Sequence, residues 1–416
     1  MERRVVITGM GAVTPLGNSV NDFWNGIKEG KLGIDYIRNV DASEFEVKIG
    51  AEVKDFNPEG VLDRKECRRL DKFAQYAICS TDEALKASGL NLDEVDKERM
   101  GVYVGAGIGG LDTMQSDIAK VVANPTRRVS PFFVPMTIIN LVAGNIAIKY
   151  NAKGPCTSMV TACATGNNNI GEAFRLIKHG YADIMIAGSA ESPISRMGVG
   201  GFAGMKALSM TEDPKRASIP FDKDRNGFVI GEGGAILILE SLEGAQKRGA
   251  KILAEIVGYG STCDAYHITS PDPNGDGAAK AMELAIKEAN IKPSDVSYIN
   301  AHGTSTGLND SCETAAIKKV FKEDSYNIPV SSTKSMTGHL LGGAGAIEAV
   351  VSVKALIDGF VPPTIGLETP GEGLDLDYVK GTGRKADLKY TMSNSLGFGG
   401  HNACLLFKKW EWLGGT

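Results

Sequence analysis

The sequence is poor in the features that mark membrane, nucleic-acid-binding and disulfide-stabilised proteins. No apolar run approaches the roughly 20 residues that a membrane-spanning helix needs, and the N-terminal run Val5–Ile7 is too short for a signal peptide. The net charge of −5 gives no support to nucleic-acid binding. The seven cysteines include no CxxC pair, and their odd number argues against a disulfide framework. We therefore expect a cytoplasmic protein with no membrane segment and no nucleic-acid partner.

The sequence does contain a dense alternation of strand-like and helix-like segments. Hydrophobic residues make up 43% of the chain, which is enough for a large core. Short apolar runs alternate with amphipathic helical patterns, and this favours an α/β fold in which helices cover sheets. The predicted strands cover residues 5–8, 101–104, 184–188, 234–240, 296–300 and 403–407. The predicted helices cover residues 71–88, 164–179, 277–290 and 345–357.

Two pairs of segments indicate that the chain contains two related halves. Residues 84–95 (ALKASGLNLDEV) align with 285–296 (AIKEANIKPSDV), and 164–180 (ATGNNNIGEAFRLIKHG) align with 343–359 (GAGAIEAVVSVKALIDG). Either match alone would be weak, because amphipathic helices resemble one another by chance. The shared order of the two matches favours a duplication. A charged stretch near 247–251 then predicts a first half of residues 1–250 and a second half of residues 251–416.

Cys163 is the candidate nucleophile of the first half. It lies among small and polar residues at the start of the predicted helix 164–179. A thiol there would face unpaired backbone N–H groups and the positive end of the helix dipole, and both favour the thiolate. We therefore expect an acidic, reactive cysteine with room beside it for a substrate.

Only five histidines are present, so the positions of two of them are informative. His302 follows a predicted strand, and His339 precedes the second-half helix that aligns with the helix after Cys163. If the two helix entrances face each other, His339 lies close to Cys163 and His302 projects from the adjoining strand end. A single histidine is more often structural. Metal binding is a further alternative, weakened because no spacing such as HExxH is present.

These segments carry a family resemblance. GPCTSMVTACATG, NAHGTSTGLND, SSTKSMTGHLLGGAGAIEA and NSLGFGGHNA together resemble the β-ketoacyl-[acyl-carrier-protein] synthases of the thiolase superfamily, in particular the elongating synthase II type. The resemblance extends from about Arg4 to about Lys408. It implies a thiolase-like fold, a five-layer αβαβα sandwich of two duplicated halves, and a homodimer.

The resemblance also implies a reaction, a decarboxylating Claisen condensation of acyl-carrier protein with malonyl-carrier protein in type II fatty acid elongation. Cys163 would hold the acyl chain as a thioester, and His302 and His339 would stabilise the enolate as neutral imidazoles. Backbone N–H groups of Cys163 and Phe398 would hold the thioester oxyanion, and Lys334 would lie beside the site. No metal and no cofactor is expected, since phosphopantetheine of the acyl carrier protein carries the substrates.

Further residues match family positions for substrate, carrier protein and support. Ile108, Phe133 and Phe398 would shape the acyl pocket, although core packing would also explain the first two. Thr304 and Thr306 would bind phosphopantetheine, or would be plain turn residues. The residues expected to dock the carrier protein are Lys65, Arg68, Arg69, Arg127, Arg128 and Lys206, for which a solvated charged face is the alternative. The expected supporting residues are Asp310, Glu313 and Glu348. For these the alternatives are a helix start (Asp310 and Glu313) and a surface salt bridge (Lys334 with Glu348).

Several other functions compete with this interpretation. A synthase I or a polyketide ketosynthase would use the same chemistry, whereas a non-catalytic chain-length partner subunit would lack the nucleophile. A degradative thiolase would need a second catalytic cysteine, and Cys404 lies in a strand-like run instead. A dehydrogenase would rest on Gly105-x-Gly107-x-x-Gly110, which is followed by no βαβ unit.

Overall fold

The predicted strands and helices are present, and they build an α/β fold, as predicted. The computed structural model describes residues 2–411. Its strands are β1 (Val5–Val13), β2 (Asp35–Tyr36), β3 (Ile49–Gly50), β4 (Met100–Gly105), β5 (Cys156–Thr157), β6 (Ile184–Glu191), β7 (Gly233–Ser241), β8 (Ala254–Cys263), β9 (Tyr298–Asn300), β10 (Val330–Ser331), β11 (Phe360–Val361), β12 (Arg384–Lys385), β13 (Tyr390–Gly397) and β14 (His401–Lys409).

The helices of the same part of the chain are α1 (Val20–Glu29), α2 (Arg64–Cys67), α3 (Lys72–Ser88), α4 (Leu111–Ala123), α5 (Phe133–Thr137), α6 (Asn140–Tyr150), α7 (Thr165–Lys178), α8 (Arg196–Gly204), α9 (Pro214–Ala217), α10 (Leu242–Lys247), α11 (Asp276–Ala289), α12 (Gly307–Phe321), α13 (Lys334–Thr337) and α14 (Ala344–Asp358). The four predicted helices are α3, α7, α11 and α14, and no end differs from its prediction by more than one residue.

One ten-stranded sheet contains the same five-strand pattern twice, in the order β10-β9-β13-β14-β8-β1-β7-β6-β4-β5. In the first half, β4 pairs parallel with β5 and β6, and β7 pairs antiparallel with β6 and β1. In the second half, β9 pairs parallel with β10 and β13, and β14 pairs antiparallel with β13 and β8. The two patterns meet where β1 and β8 pair antiparallel, with Val5 opposite Ile256.

Helices lie in three layers around the two halves of this sheet. α7 and α14 contact each other, and both contact strands of the two halves, so they form the central layer. α3 covers β1 and β7 on the outside of the first half, and α11 covers β8 and β14 on the outside of the second. The layers therefore follow the αβαβα order of the five-layer prediction.

Equivalent glycines allow the outer helices to approach the sheet closely. A Cβ atom on Gly11 of β1 would lie 1.9 Å from the carbonyl oxygen of Ser80 in α3. A Cβ atom on Gly260 of β8 would lie 1.8 Å from the carbonyl oxygen of Ala281 in α11. Ser80 and Ala281 occupy matching positions when the aligned segments 84–95 and 285–296 are extended by one helical turn. The duplication seen in the sequence is thus repeated in the packing.

Among residues 2–411, no helix combines the length and the apolar character needed to cross a membrane. All seven cysteines are free thiols. Residues 412–416 of the C-terminal tail, which lies beyond the family resemblance, fall outside the described residues.

Candidate active site

Cys163 lies in a strained turn that the second half repeats. The 3-10 turn Ala162–Ala164 leads directly into α7, and the 3-10 turn Leu341–Gly343 leads directly into α14. Ala162 has φ of 50° and Leu341 has φ of 49°, a left-handed conformation that non-glycine residues rarely adopt. The aligned segments put these two residues at equivalent positions. The shared strain shows that both central helices begin in the same way, with Cys163 at the entrance of the first.

Both histidines reach the cysteine across the boundary between the halves. Cys163 is 8% exposed, and the Nε2 atom of His339 lies 3.1 Å from its Sγ. The imidazole rings of His302 and His339 have centroids 5.2 Å apart and cross at 85°. Possible ligand atoms of all three residues lie within 4.8 Å of one another, a spacing that also suits a metal ion. The structure therefore brings together the three residues that the sequence singled out.

The two imidazoles are neutral. Burial, with a further contribution from the Lys334 ammonium, holds the pKa of His339 well below its usual value. Burial, Lys334 and His339 do the same to the pKa of His302. The backbone N–H of Leu341 donates to Nδ1 of His339 at 3.3 Å, so the ring proton is on Nε2, which faces Cys163. In this tautomer Nε2 of His339 can donate a hydrogen bond to a substrate oxygen in the cavity.

The predicted acidity of Cys163 is wrong. Burial raises the pKa of the Cys163 thiol to about 12, and the carboxylate of Glu191 acts in the same direction. Lys334 and the backbone N–H groups of Phe398 and Cys163 lower the pKa, but burial outweighs them. The entrance of α7 favours the thiolate, but the loss of water around a buried thiol disfavours it more strongly. The same two N–H groups lie beside the sulfur, where they could receive the oxygen of a thioester formed on it.

Lys334 and Glu348 form a buried ion pair, so the surface salt bridge alternative is wrong. The side chain of Lys334 is 1% exposed and that of Glu348 is fully buried. Lys334 Nζ donates to Glu348 Oε1 and, at 2.6 Å, to the carbonyl oxygen of His302. Burial raises the pKa of Glu348 to about 7. The pair thus fixes the backbone of His302 from beneath the cavity.

Asp310 and Glu313 hold the loop that carries His302. The carboxylate of Glu313 accepts the backbone N–H groups of His302 and Gly303, each at 2.8 Å. Asp310 lies in the first turn of α12, but its carboxylate accepts the N–H groups of Thr304 at 3.0 Å and Phe221 at 2.9 Å. Both side chains are buried. They act on a neighbouring loop and not simply as helix-start residues.

A cavity of about 390 Å³ leads from the surface to the cysteine. Cys163, His302 and His339 line it together with Phe398, and Thr304 and Thr306 line it with their hydroxyl groups 2.9 Å apart. Ile108 and Phe133 are not among its lining residues. Ile108 packs on the apolar cluster that contains Cys163, whereas Phe133 begins α5 and is half-buried. The acyl-pocket roles of Ile108 and Phe133 stay predictions.

The basic residues expected to dock a carrier protein are all exposed, but they do not line one common surface. Arg68, Arg127 and Arg128 line one surface cavity of about 360 Å³. Lys206 lines the active-site cavity instead. The remaining two, Lys65 and Arg69, lie on and beside α2, where Arg69 stacks on the ring of Phe132.

Sequence reasoning missed the aromatic residues that pack around the histidine. The ring of Phe228 meets His339 edge-on, with centroids 5.2 Å apart, and Phe202 lies between Phe228 and Phe398. No local pattern distinguishes these phenylalanines from core residues. Glu191 was also missed, although a carboxylate that ends the apolar strand β6 is a visible anomaly.

The glycine loop after β4 already holds an anion. The backbone N–H groups of Gly107, Ile108 and Gly109 donate to the carboxylate of Glu191. Those donors are therefore occupied and do not face an open groove, as a bound pyrophosphate would require. The dehydrogenase alternative loses its only support.

Known proteins are similar to this chain over nearly its whole length. Residues 2–245 match the family "Beta-ketoacyl synthase, N-terminal domain", and residues 253–368 match "Beta-ketoacyl synthase, C-terminal domain". The chain is 52% identical to a 3-oxoacyl-[acyl-carrier-protein] synthase 2 of Synechocystis over 99% of both chains. It is 51% identical to the enzyme of the same name from Staphylococcus aureus, over 98% of this chain and 99% of the relative.

Solved structures of ketosynthases have the same fold as this chain. A ketosynthase in a complex of a type II PKS acyl-carrier protein with its ketosynthase, bound to the hexaketide, superposes with a TM-score of 0.91 at 35% identity, covering 99% of this chain and 100% of that one. A beta-ketoacyl synthase from Burkholderia phymatum superposes with a TM-score of 0.91 at 33% identity, covering 98% and 100%. The thiolase-like fold and the family resemblance are confirmed, and the chain belongs to the beta-ketoacyl synthase family.

Proposed function

We propose that this protein elongates acyl chains by condensing acyl-carrier protein with malonyl-carrier protein, with loss of carbon dioxide. The observation that carries the proposal is the contact between Cys163 Sγ and His339 Nε2 at 3.1 Å, with a second neutral imidazole beside it in one cavity. A nucleophile and two uncharged N–H donors are what the two halves of this reaction need.

Acyl transfer comes first. The sulfur of Cys163 attacks the thioester carbonyl of the acyl chain, a new S–C bond forms, and the carrier leaves as a thiol with the proton that Cys163 releases. The N–H groups of Cys163 and Phe398 receive the negative oxygen of the tetrahedral intermediate. Each donor of this kind contributes about 10²–10³ in rate. Because the thiol is a weak acid here, it loses its proton during the attack, and no standing thiolate is needed.

Condensation follows in the same cavity. The bond to the malonyl carboxylate breaks, carbon dioxide leaves, and the electron pair moves to the thioester oxygen as an enolate. His302 and His339 donate N–H to that oxygen, and no strong base is needed. The enolate carbon then attacks the acyl carbonyl on Cys163, a C–C bond forms, and the bond to the sulfur breaks. The sulfur takes up a proton from water and becomes a thiol again as the 3-oxoacyl product forms.

Several features support carrier-bound substrates in fatty acid elongation. The cavity passes the hydroxyl groups of Thr304 and Thr306, which suit a phosphopantetheine arm. The carrier proteins of this pathway are acidic, and the basic residues around Arg68 and Lys206 suit them. The relatives named synthase 2 share about half of their residues with this chain, a higher identity than the PKS ketosynthase shares. This difference favours elongation of fatty acids over synthesis of polyketides.

A homodimer would cover an exposed edge of the large sheet. β5 is the edge strand of the large sheet, and the apolar side chains of Ile148 and Val160 nearby are 80% and 47% exposed. Such an edge is a ready site for pairing with a second copy.

The seven free cysteines suit a reducing compartment such as the cytoplasm. The reaction needs no metal or cofactor held by the protein.

The experiment is incubation with acyl- and malonyl-carrier protein, with and without a chelator. The intact protein should form the 3-oxoacyl product in both cases, and Cys163→Ala should not. Cys163→Gln should still release carbon dioxide from malonyl-carrier protein, because both histidines remain. Loss of activity with the chelator would contradict the absence of a metal. Failure to elongate long unsaturated acyl chains would count against synthase II and favour synthase I or the polyketide alternative.

A further inference from the structure

We infer that Glu191 is a positioning residue that holds the loop 105–110 and so sets the wall of the acyl site beside Cys163. Glu191 ends β6 and is completely buried. Ile108, at the centre of the loop, packs on the apolar cluster that contains Cys163 and Leu341. The inference rests on the proposed function, because it concerns the acyl chain that Cys163 would carry.

The carboxylate of Glu191 joins the two halves of the molecule. It accepts the backbone N–H groups of Gly107 at 2.6 Å, Ile108 at 3.0 Å and Gly109 at 3.0 Å. It also accepts the N–H of Gly342, in the turn before α14, at 3.1 Å. Consecutive N–H groups of this kind form a concave anion-binding site. Here the protein supplies the anion itself, so the loop has one fixed distance from the second-half turn.

Gly107 and Gly342 have no side chain, and the carboxylate of Glu191 occupies the space that a Cβ atom would need. A Cβ atom on Gly107 would lie 2.8 Å from Glu191 Oε2, and a Cβ atom on Gly342 would lie 2.7 Å from the same oxygen. Gly342 is also the residue that aligns with Cys163 in the duplicated half. The carboxylate therefore contacts the second-half counterpart of the nucleophile position.

The second half holds its equivalent loop with a glutamate from a different element, Glu313 of α12. Glu313 accepts the N–H groups of His302 and Gly303 in the loop after β9, the strand equivalent to β4. There the held residue is His302, which the proposed mechanism assigns to the malonyl half-reaction. In the first half the held residue is Ile108, which packs on the apolar cluster that contains Cys163. Each half thus uses one buried glutamate to hold one loop near the catalytic residues.

Substitution of each glutamate should impair a different half-reaction, either acylation of Cys163 or decarboxylation of the malonyl substrate. Glutamine at position 191 keeps one acceptor oxygen but directs an NH₂ group toward backbone N–H donors, so the loop loses part of its anchor. Displacing a group beside a reacting atom commonly costs about 10²-fold in rate. We expect Glu191→Gln to lower acylation of Cys163 by roughly tenfold to a hundredfold. It should also change the ratio between hexanoyl and palmitoyl substrates and leave malonyl decarboxylation nearly unchanged.

The test measures the half-reactions separately, with two matched variants. Acylation is followed as the mass increase of the protein with hexanoyl- and palmitoyl-carrier protein. Decarboxylation is followed as carbon dioxide release in a Cys163→Gln background. Glu313→Gln should impair decarboxylation more than acylation. Glu83→Gln is the control, since Glu83 also accepts two backbone N–H groups, from Ala12 and Val20, but lines a different cavity.

If both glutamates are positioning residues, Glu191→Gln impairs mainly acylation and Glu313→Gln impairs mainly decarboxylation. A merely structural role would impair both half-reactions equally. Equal losses in both half-reactions for Glu191→Gln, of the size that Glu83→Gln gives, would overturn the inference. If Glu191→Gln does not fold, amide exchange of the unmodified protein tests the same contacts, and fast exchange at Gly107, Ile108 and Gly109 would refute them. Absence of condensation by the unmodified protein would overturn the proposed function instead, and acylation and amide exchange would still report on the loop.

Discussion

Removing the ammonium group of Lys334 should lower the free energy of unfolding and slow decarboxylation. Lys334→Ala leaves the carboxylate of Glu348 buried, with Oε1 deprived of its partner and Oε2 without one already among the described residues. Leaving one member of a buried ion pair alone costs about 3–5 kcal/mol. A domain has only about 5–15 kcal/mol of stability, so the change is large.

Urea unfolding of Lys334→Ala measures this cost, and pH gives a check on its origin. The pKa of Glu348 is already raised to about 7, and loss of the ammonium raises it further. The uncompensated charge therefore disappears as the pH falls, and the destabilisation should be smaller at pH 6 than at pH 8. The exposed pair Lys280–Glu283 provides the control, because its removal should cost at most about 1 kcal/mol.

A double variant separates stability from catalysis. Lys334→Met with Glu348→Gln removes both charges, so stability should recover most of the loss. Decarboxylation should stay slow, because the carbonyl group of His302 still lacks the donor that Lys334 supplied. A destabilisation by Lys334→Ala below about 1 kcal/mol, the cost of an exposed pair, would refute the reasoning.

Three further predictions concern ionisation and docking. Alkylation of Cys163 by iodoacetamide, measured on its own peptide, should rise steadily from pH 6 to pH 9, because burial raises the thiol pKa to about 12; a plateau near pH 7 would contradict this. The pKa of both histidines lies well below the usual value, so both rings of Cys163→Gln should stay neutral between pH 8 and pH 6. Histidine ring chemical shifts in NMR measure this separately from Glu348 and Glu313, whose pKa burial raises to about 7, and a change of either ring toward the protonated form would contradict it. Lys65→Glu with Arg68→Glu should raise KM for carrier-bound substrate roughly tenfold at low salt and less at high salt, and unchanged kinetics at low salt would remove the docking role.

Helical periodicity and internal repetition allowed much of the fold to be predicted from the sequence. The helices α3, α7, α11 and α14 were predictable because their apolar faces repeat at three and four residues. The strand β8 was not among those predicted, because Gly258 and Gly260 interrupt its apolar pattern. Those glycines are required by the close approach of α11, which no local rule reveals.

At the site, residue identity was predictable and electrostatics was not. The order of Cys163, His302 and His339 in recognisable motifs was enough to group them. The protonation of the thiol depends on how completely other segments cover it, and a sequence does not show this. For the same reason the contacts of Glu191 could not be foreseen, since its donors come from a loop 82–84 residues earlier and a turn 151 residues later.

The most direct test of the proposed chemistry is the location of the acyl group after the acyl-transfer step alone. The protein is mixed with acyl-carrier protein in the absence of malonyl substrate, digested, and its peptides are analysed by mass. The account predicts one acyl group as a thioester on Cys163 and none on the other six cysteines, although Cys156 and Cys263 are more exposed. An acyl group on another cysteine, or no acyl-protein while condensation proceeds, would contradict it.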